Sequence, residues 1–255
     1  MHSLICTSAC VLQVIILDIS TVMLERARAT FEAACGPDGI GNVTFVCCAA
    51  QDLLSDDAAR NALGLPPAST KSEGTVDEVA CVDLILFHAV VEWMANPRTA
   101  LQVLGRLLRL QGHLSVLFYN RNALIWRHLM NGNFDRADDM GTSVATSNSA
   151  HPTASRDATD GESGARRKRP KQRAALTPHN PQDGPTLEAW MKEDLGLEIR
   201  AWSGIRMLHD HIESSKRPGI PYSGLLAAER HWGQIEPYRS LARYIHMLGQ
   251  RADSD

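Results

Sequence analysis

No glycine precedes Gly36 in this chain. Glycine lets bare backbone approach a ligand closely. A glycine-rich cradle after an opening strand is therefore excluded from the stretch before Gly36, and no G-x-G-x-G follows any early apolar run. The cysteines Cys6, Cys10, Cys35, Cys47, Cys48 and Cys81 form no C-x-x-C pair, and no histidine cluster stands at metal-ligand spacing. A metal site is not expected, and the thiols read as buried and reduced, as in a cytoplasmic protein. The apolar run Leu4 to Leu17 has no basic residue ahead of it and ends in Asp18 rather than at a small-residue cleavage site. It is also shorter than a bilayer span, so neither a secretion signal nor a membrane anchor is expected. The net charge of -3 leaves any nucleic-acid contact to a local basic patch.

What is present reads as strands alternating with helices. Val11 to Leu17, Val43 to Cys48, Cys81 to Phe87 and Leu114 to Tyr119 are apolar runs of strand length. Between them lie a helix Thr21 to Ala34 capped by Ser20 and stopped at Gly36, a short helix ending near Leu63, and an amphipathic helix Arg98 to Leu110. The turn into the fourth strand falls at Gln111 and Gly112. That alternation predicts an α/β fold with parallel crossovers and a doubly wound sheet. A helix Asn122 to Met130 follows. From Asp138 to Arg173 the chain is rich in Ser, Thr, Asp and Gly and ends in a basic cluster. This composition predicts disorder. Beyond it, a helix Thr186 to Leu195, a strand Leu197 to Leu208, a helix Tyr222 to Trp232 and a strand Leu241 to Leu248 are expected.

Three consecutive strand ends carry polar groups. Asp18 stands where an acid can accept hydrogen bonds from ribose hydroxyls, or can simply flank a helix N-terminus. Ala50 and Gln51, with Asp52 behind them, can grip an adenine ring. His88 closes the third strand and is followed by Glu92, Trp93 and Pro97.

These residues belong to blocks that resemble a known family. VIILDISTVMLERA, VTFVCCAAQDL, VDLILFHAVVEWMANPR and LSVLFYNRNALIWRHLMNGNFD are similar, in order, to segments of the bacterial tRNA 5-carboxymethoxyuridine methyltransferases, class I S-adenosylmethionine-dependent enzymes. The blocks LTPHNPQDG, SGIRMLHDHI and EPYRSLARYIHM extend the resemblance toward the C-terminus. It implies a Rossmann-like sheet divided into a partial methyltransferase core (1–135), a disordered basic insert (136–175) and a C-terminal part (176–255). It implies S-adenosyl-L-methionine as methyl donor, the carboxylate of 5-carboxymethoxyuridine at the tRNA wobble position as acceptor, and no metal. Asp18 matches the ribose-binding acid, Ala50 and Gln51 the adenine pocket, and His88 the residue that closes over the cofactor.

A carboxylate is already ionised at neutral pH, so the chemistry requires positioning rather than a strong base. Arg206, Arg243, Tyr119 and Asn120 are the candidate clamp, arginine being the best match to a carboxylate. Arg166, Arg167, Lys168 and Arg169 are candidates for phosphate contacts with the tRNA anticodon arm; a solvated linker is the alternative. The family's first strand and glycine loop have no counterpart here, so the sheet is expected to lack its central strand and the chain to bind the cofactor weakly or not at all. A non-catalytic RNA-binding remnant and a small-molecule methyltransferase of the same fold are the competing readings.

Overall fold

The computed structural model describes residues 13–39, 42–68, 79–142 and 178–252. The chain opens with β1 (Val14–Asp18), α1 (Thr21–Gly39) and β2 (Val43–Cys47). β1 and β2 pair in parallel, Val14 opposite Val43 and Asp18 opposite Cys47. The Ser20 hydroxyl accepts the Met23 N–H at 3.3 Å, as a cap should. Gly36, at φ 70° and ψ 173°, breaks the helical path where the sequence places its end. Within α1, Leu24 is buried but Met23 is exposed. Cys35 and Cys47 are exposed too, which corrects the expectation of uniformly buried thiols.

A 3-10 turn at Ala50–Asp52 and α2 (Asp57–Ala62) lead to β3 (Val82–His88). Then come α3 (Pro97–Leu107) and β4 (Leu108–Tyr119). α3 begins at Pro97 because Asn96 caps it, its side chain accepting from the Thr99 N–H. Leu108 to Leu110 belong to the strand rather than to the helix expected there. The predicted turn at Gln111 and Gly112 survives as a bulge. Val82 faces Leu108 but Leu84 already faces His113, and Gln111 sits at φ 63°.

α4 (Arg121–Met130) and α5 (Phe134–Thr142) follow. α5 carries helix through Thr142, past the boundary at which disorder was expected to begin. The rest of the insert, with Arg166, Arg167, Lys168 and Arg169, lies outside the described residues. After it come α6 (Gly184–Ala189), a π-helical turn Trp190–Asp194, β5 (Leu197–Ile205), α7 (Tyr222–Trp232), α8 (Tyr238–Leu241) and β6 (Tyr244–Arg251).

The α/β reading holds, but the strands form two sheets among the described residues. β1 and β2 make one; the other has the order β3-β4-β6-β5. β3 and β4 are parallel, whereas β6 runs antiparallel to both β4 and β5. β6 alternates buried and half-buried residues, as antiparallel strands often do. β1 and β3 are both edge strands among the described residues.

One core joins the pieces. Val46, Cys48, Ala50 and Leu53 pack with Leu101 and Leu104 of α3, Val116 and Phe118 of β4, Leu187 and Met191, and Ile245 and Met247 of β6. Burial of each of the Val, Leu, Ile, Phe and Met side chains among them contributes roughly 1.5–3 kcal/mol. The opposite face of the four-stranded sheet is less covered: Leu84 and Leu86 are 55% and 56% exposed.

Candidate active site

Asp18, Ala50, Gln51 and His88 all fall at or just beyond strand ends, as expected. Asp18 Oδ1 accepts the Ser20 N–H at 2.8 Å. That bond orients the carboxylate at the start of α1 and engages one of its two oxygens. Ala50 is buried and Gln51 exposed, so this turn offers a small apolar floor with a polar group beside it.

His88 is held from inside the sheet. Its Nε2 lies 2.8 Å from Ser115 Oγ, and the same oxygen lies 2.8 Å from His246 Nε2. The chain crosses β3, β4 and β6 on one face, and the two imidazoles meet edge to face at 5.9 Å. A serine hydroxyl has one proton, so it donates to one ring and accepts from the other when both are neutral. Burial lowers the pKa of His88; burial and then the neighbouring His88 lower that of His246. Both shifts favour the neutral pair.

The second cluster forms where β4 ends, β6 begins and β5 ends. Tyr119, Tyr244 and Ile205 stand opposite one another in register. The Arg243 guanidinium lies 5.3 Å from the centre of the Tyr119 ring and 5.5 Å from that of Tyr244, within cation–π range. Its Nη1 donates to Asp210 Oδ2 at 2.9 Å. Arg206 Nη2 donates to Asp210 Oδ1 at 2.5 Å, and His209 Nδ1 lies 3.1 Å from that oxygen. Burial alone would raise the Asp210 carboxyl, but hydrogen bonds from His209, Arg243 and Arg206 outweigh it and bring it down to about 2. Arg243 Nε is buried without a partner.

The loop carrying Arg206 is braced from α7. Arg206 adopts φ 60°, a conformation unusual for a residue with a side chain. The next three backbone N–H groups, of Met207, Leu208 and His209, all donate to the Glu229 carboxylate at 2.8 to 3.0 Å.

Asn120 has a different part. It is buried, its amide donates to the carbonyls of Ser240 and Ala242 at 2.9 and 2.8 Å, and its oxygen accepts the Asn122 N–H. Both ends of the amide are engaged by backbone, which corrects its assignment to the clamp: it ties β4 to the segment that presents Arg243. Arg121 beside it is paired with Asp183.

Asp210, His209, Glu229, Ser115 and His246 escaped the sequence reading. Asp210 and His209 stand in the same block as Arg206, and His246 shares the face of Tyr244 two residues on. Those two signals were available. Glu229 had none, since its role arises only where α7 meets β5. Among the described residues, no group of three or more His, Cys, Asp or Glu could hold a metal ion, and no helix is long and apolar enough to cross a membrane.

No family model matches the chain. Among solved structures, an S-adenosylmethionine-dependent methyltransferase from Mesorhizobium loti aligns over 94% of this chain and 81% of its own, at 15% identity and a TM-score of 0.44. The plantazolicin methyltransferase BamL covers 94% of this chain and 68% of its own, at 11% identity and a TM-score of 0.42. Sequence comparison reaches further. The tRNA 5-carboxymethoxyuridine methyltransferase of Escherichia coli K12 is 32% identical over 242 residues, spanning 95% of this chain and 73% of the relative. The protein of the same name from Escherichia coli O157:H7 gives the same values. At that identity and coverage, the chain belongs to the tRNA 5-carboxymethoxyuridine methyltransferase family.

Proposed function

We propose that this chain transfers a methyl group from S-adenosyl-L-methionine to the carboxylate of 5-carboxymethoxyuridine at the wobble position of tRNA, giving the methyl ester. The observation that carries the reading is the pair of guanidiniums, Arg206 and Arg243, gathered around a carboxylate at the strand ends. Two arginines at one place match the charge and shape of a carboxylate acceptor. Arg243 is fixed by the Tyr119 and Tyr244 rings, so little freedom remains to be lost on binding.

The described residues fit the nucleoside end of the donor. Asp18 keeps one carboxylate oxygen clear of the Ser20 hydrogen bond for a ribose hydroxyl. Ala50 and Gln51 would hold the base, and His88, fixed by Ser115, would stand over it. When bound, S-adenosyl-L-methionine supplies an electrophilic methyl group on sulfur. The chain's own residues place the acceptor oxygen and shield it from water; no base is needed for a group already ionised. Arg166, Arg167, Lys168 and Arg169 contact the phosphates of the anticodon arm in this reading, and the reaction is cytoplasmic.

A non-catalytic RNA-binding role is favoured by one observation: the described residues contain no glycine cradle beside the ends of β1 and β3. The deciding measurement is methyl incorporation into tRNA with and without 5-carboxymethoxyuridine, at two salt concentrations. Incorporation confined to the modified tRNA supports the enzyme. Equal incorporation into both removes the substrate assignment, and salt-sensitive tRNA binding without incorporation supports the binding role.

A further inference from the structure

The two-arginine cage contains its own anion. Asp210 reaches Arg206 through one carboxylate oxygen and Arg243 through the other. Each arginine meets it through a single terminal nitrogen, Arg206 Nη2 and Arg243 Nη1. A guanidinium has five N–H donors and grips a carboxylate best along a two-nitrogen edge. On Arg243, Asp210 therefore leaves the Nε–Nη2 edge untouched, whereas on Arg206 it takes Nη2, which also lies 3.3 Å from His209 Nδ1. Arg243 Nε, on one such edge, is buried and has no partner. The cage also reaches solvent: the side chains of Arg206, Arg243 and Asp210 are 42%, 32% and 25% exposed.

Charge counting gives this arrangement a purpose. Two guanidiniums and one carboxylate leave a single positive charge. One external carboxylate cancels it. In the reaction, a carboxylate oxygen bonds to the methyl carbon as the carbon–sulfur bond breaks, its electron pair staying on sulfur. No proton moves, and the anion becomes a neutral ester. The cage then regains its unbalanced charge, and the ester lacks the charge that held the substrate.

We propose that Asp210 is the internal counter-charge that tunes the Arg206–Arg243 cage to one external monoanion, so that the cage grips the substrate carboxylate and lets go of the methyl ester. This rests on the reading of the cage as the carboxylate site. Asp210 is thus a positioning and specificity residue rather than a catalytic one.

The test is equilibrium binding to the full chain, followed by the side-chain N–H resonances of Arg206 and Arg243. The probes are 5-carboxymethoxyuridine nucleoside, its methyl ester, acetate and sulfate. The unmutated chain should bind the nucleoside acid at least about tenfold tighter than the ester, and sulfate no tighter than acetate despite its double charge. Asp210→Asn should shift the preference toward sulfate by about tenfold. An acetate-to-sulfate ratio unchanged in Asp210→Asn, or a parallel loss of both anions, overturns the proposal and leaves Asp210 a brace. Should Asp210→Asn fail to fold, the unmutated chain decides: sulfate tenfold tighter than acetate overturns it, and parity supports it. Arg243→Met separates this idea from its premise. If that variant binds the nucleoside acid as well as the unmutated chain does, the cage is not the carboxylate site and both readings fall. If it loses the acid while Asp210→Asn keeps the ratio, only the role of Asp210 falls.

Discussion

Gly204 and Gly233 meet backbone to backbone: the Gly204 N–H donates to the Gly233 carbonyl at 2.6 Å, and a Cβ on Gly233 would lie 2.4 Å from the Gly204 oxygen. This contact seats the C-terminus of α7 on the end of β5, one turn from Glu229. The arginine loop is therefore positioned by a contact that tolerates no side chain.

Gly233→Ala should push α7 away from β5. Overpacking of this kind costs roughly 1–3 kcal/mol, and the added methyl meets backbone oxygens of Gly204 and Glu229 rather than a flexible side chain. Thermal unfolding should shift downward, and acetate affinity at the cage should fall with it as Glu229 moves off the N–H groups of Met207 to His209. An unchanged melting temperature would show that α7 rests on something else.

Acid should weaken the cage at a defined pH. The Asp210 carboxyl falls from the ordinary 3.8 to about 2 in the folded chain. A depressed folded value gives stability that is present above about pH 4 and is lost as pH falls toward 2. The size is about 2 kcal/mol. Urea unfolding across that range should show the loss, and Asp210→Asn should flatten it. An equally steep acid limb in the variant would assign the effect to other carboxylates.

Removing the hydroxyl between the two imidazoles should free His88. Ser115→Ala breaks both 2.8 Å contacts while leaving a small side chain at a buried position. The fold should lose only about 1 kcal/mol. The His88 ring should show faster rotamer exchange by NMR relaxation. A ring equally rigid in the variant would mean that His246 alone holds it.

Asp18→Ala should lower affinity for S-adenosyl-L-methionine more than it lowers stability. The ribose hydrogen bonds to a charged acceptor contribute about 1.5–3 kcal/mol each, whereas within the fold Asp18 accepts one part-buried backbone N–H, that of Ser20. Calorimetric titration measures the first quantity and thermal unfolding the second. Equal affinity in mutant and parent would reduce Asp18 to a helix-end acid.

Much of the local structure was legible because local chemistry dictates it. Ser20 and Gly36 mark helix ends, and the mainly apolar runs before Asp18 and His88 are strands because their side chains are large and often branched. The three strand-end positions followed directly. What stayed hidden depends on elements far apart in the chain. The reversal of β6 and the His88–Ser115–His246 line arise from pairing between strands, and the triple acceptance by Glu229 from the docking of α7 at the end of β5. Asn120 misled because an asparagine at a strand end reads alike whether its amide faces a ligand or the backbone of Ser240 and Ala242.

The division of the strands gives the molecule two mechanical parts. Asp18 rides on the β1–β2 pair and His88 on the β3–β6 sheet, and no backbone ladder joins them among the described residues. Among the described residues they are joined by a packed apolar core that includes Ala50, Leu53, Leu101 and Leu104. Such contacts are non-directional and slide more readily than a ladder. The separation between Asp18 and His88 is therefore a soft coordinate, and whatever binds both strand ends does the work of a rivet as well as that of a ligand.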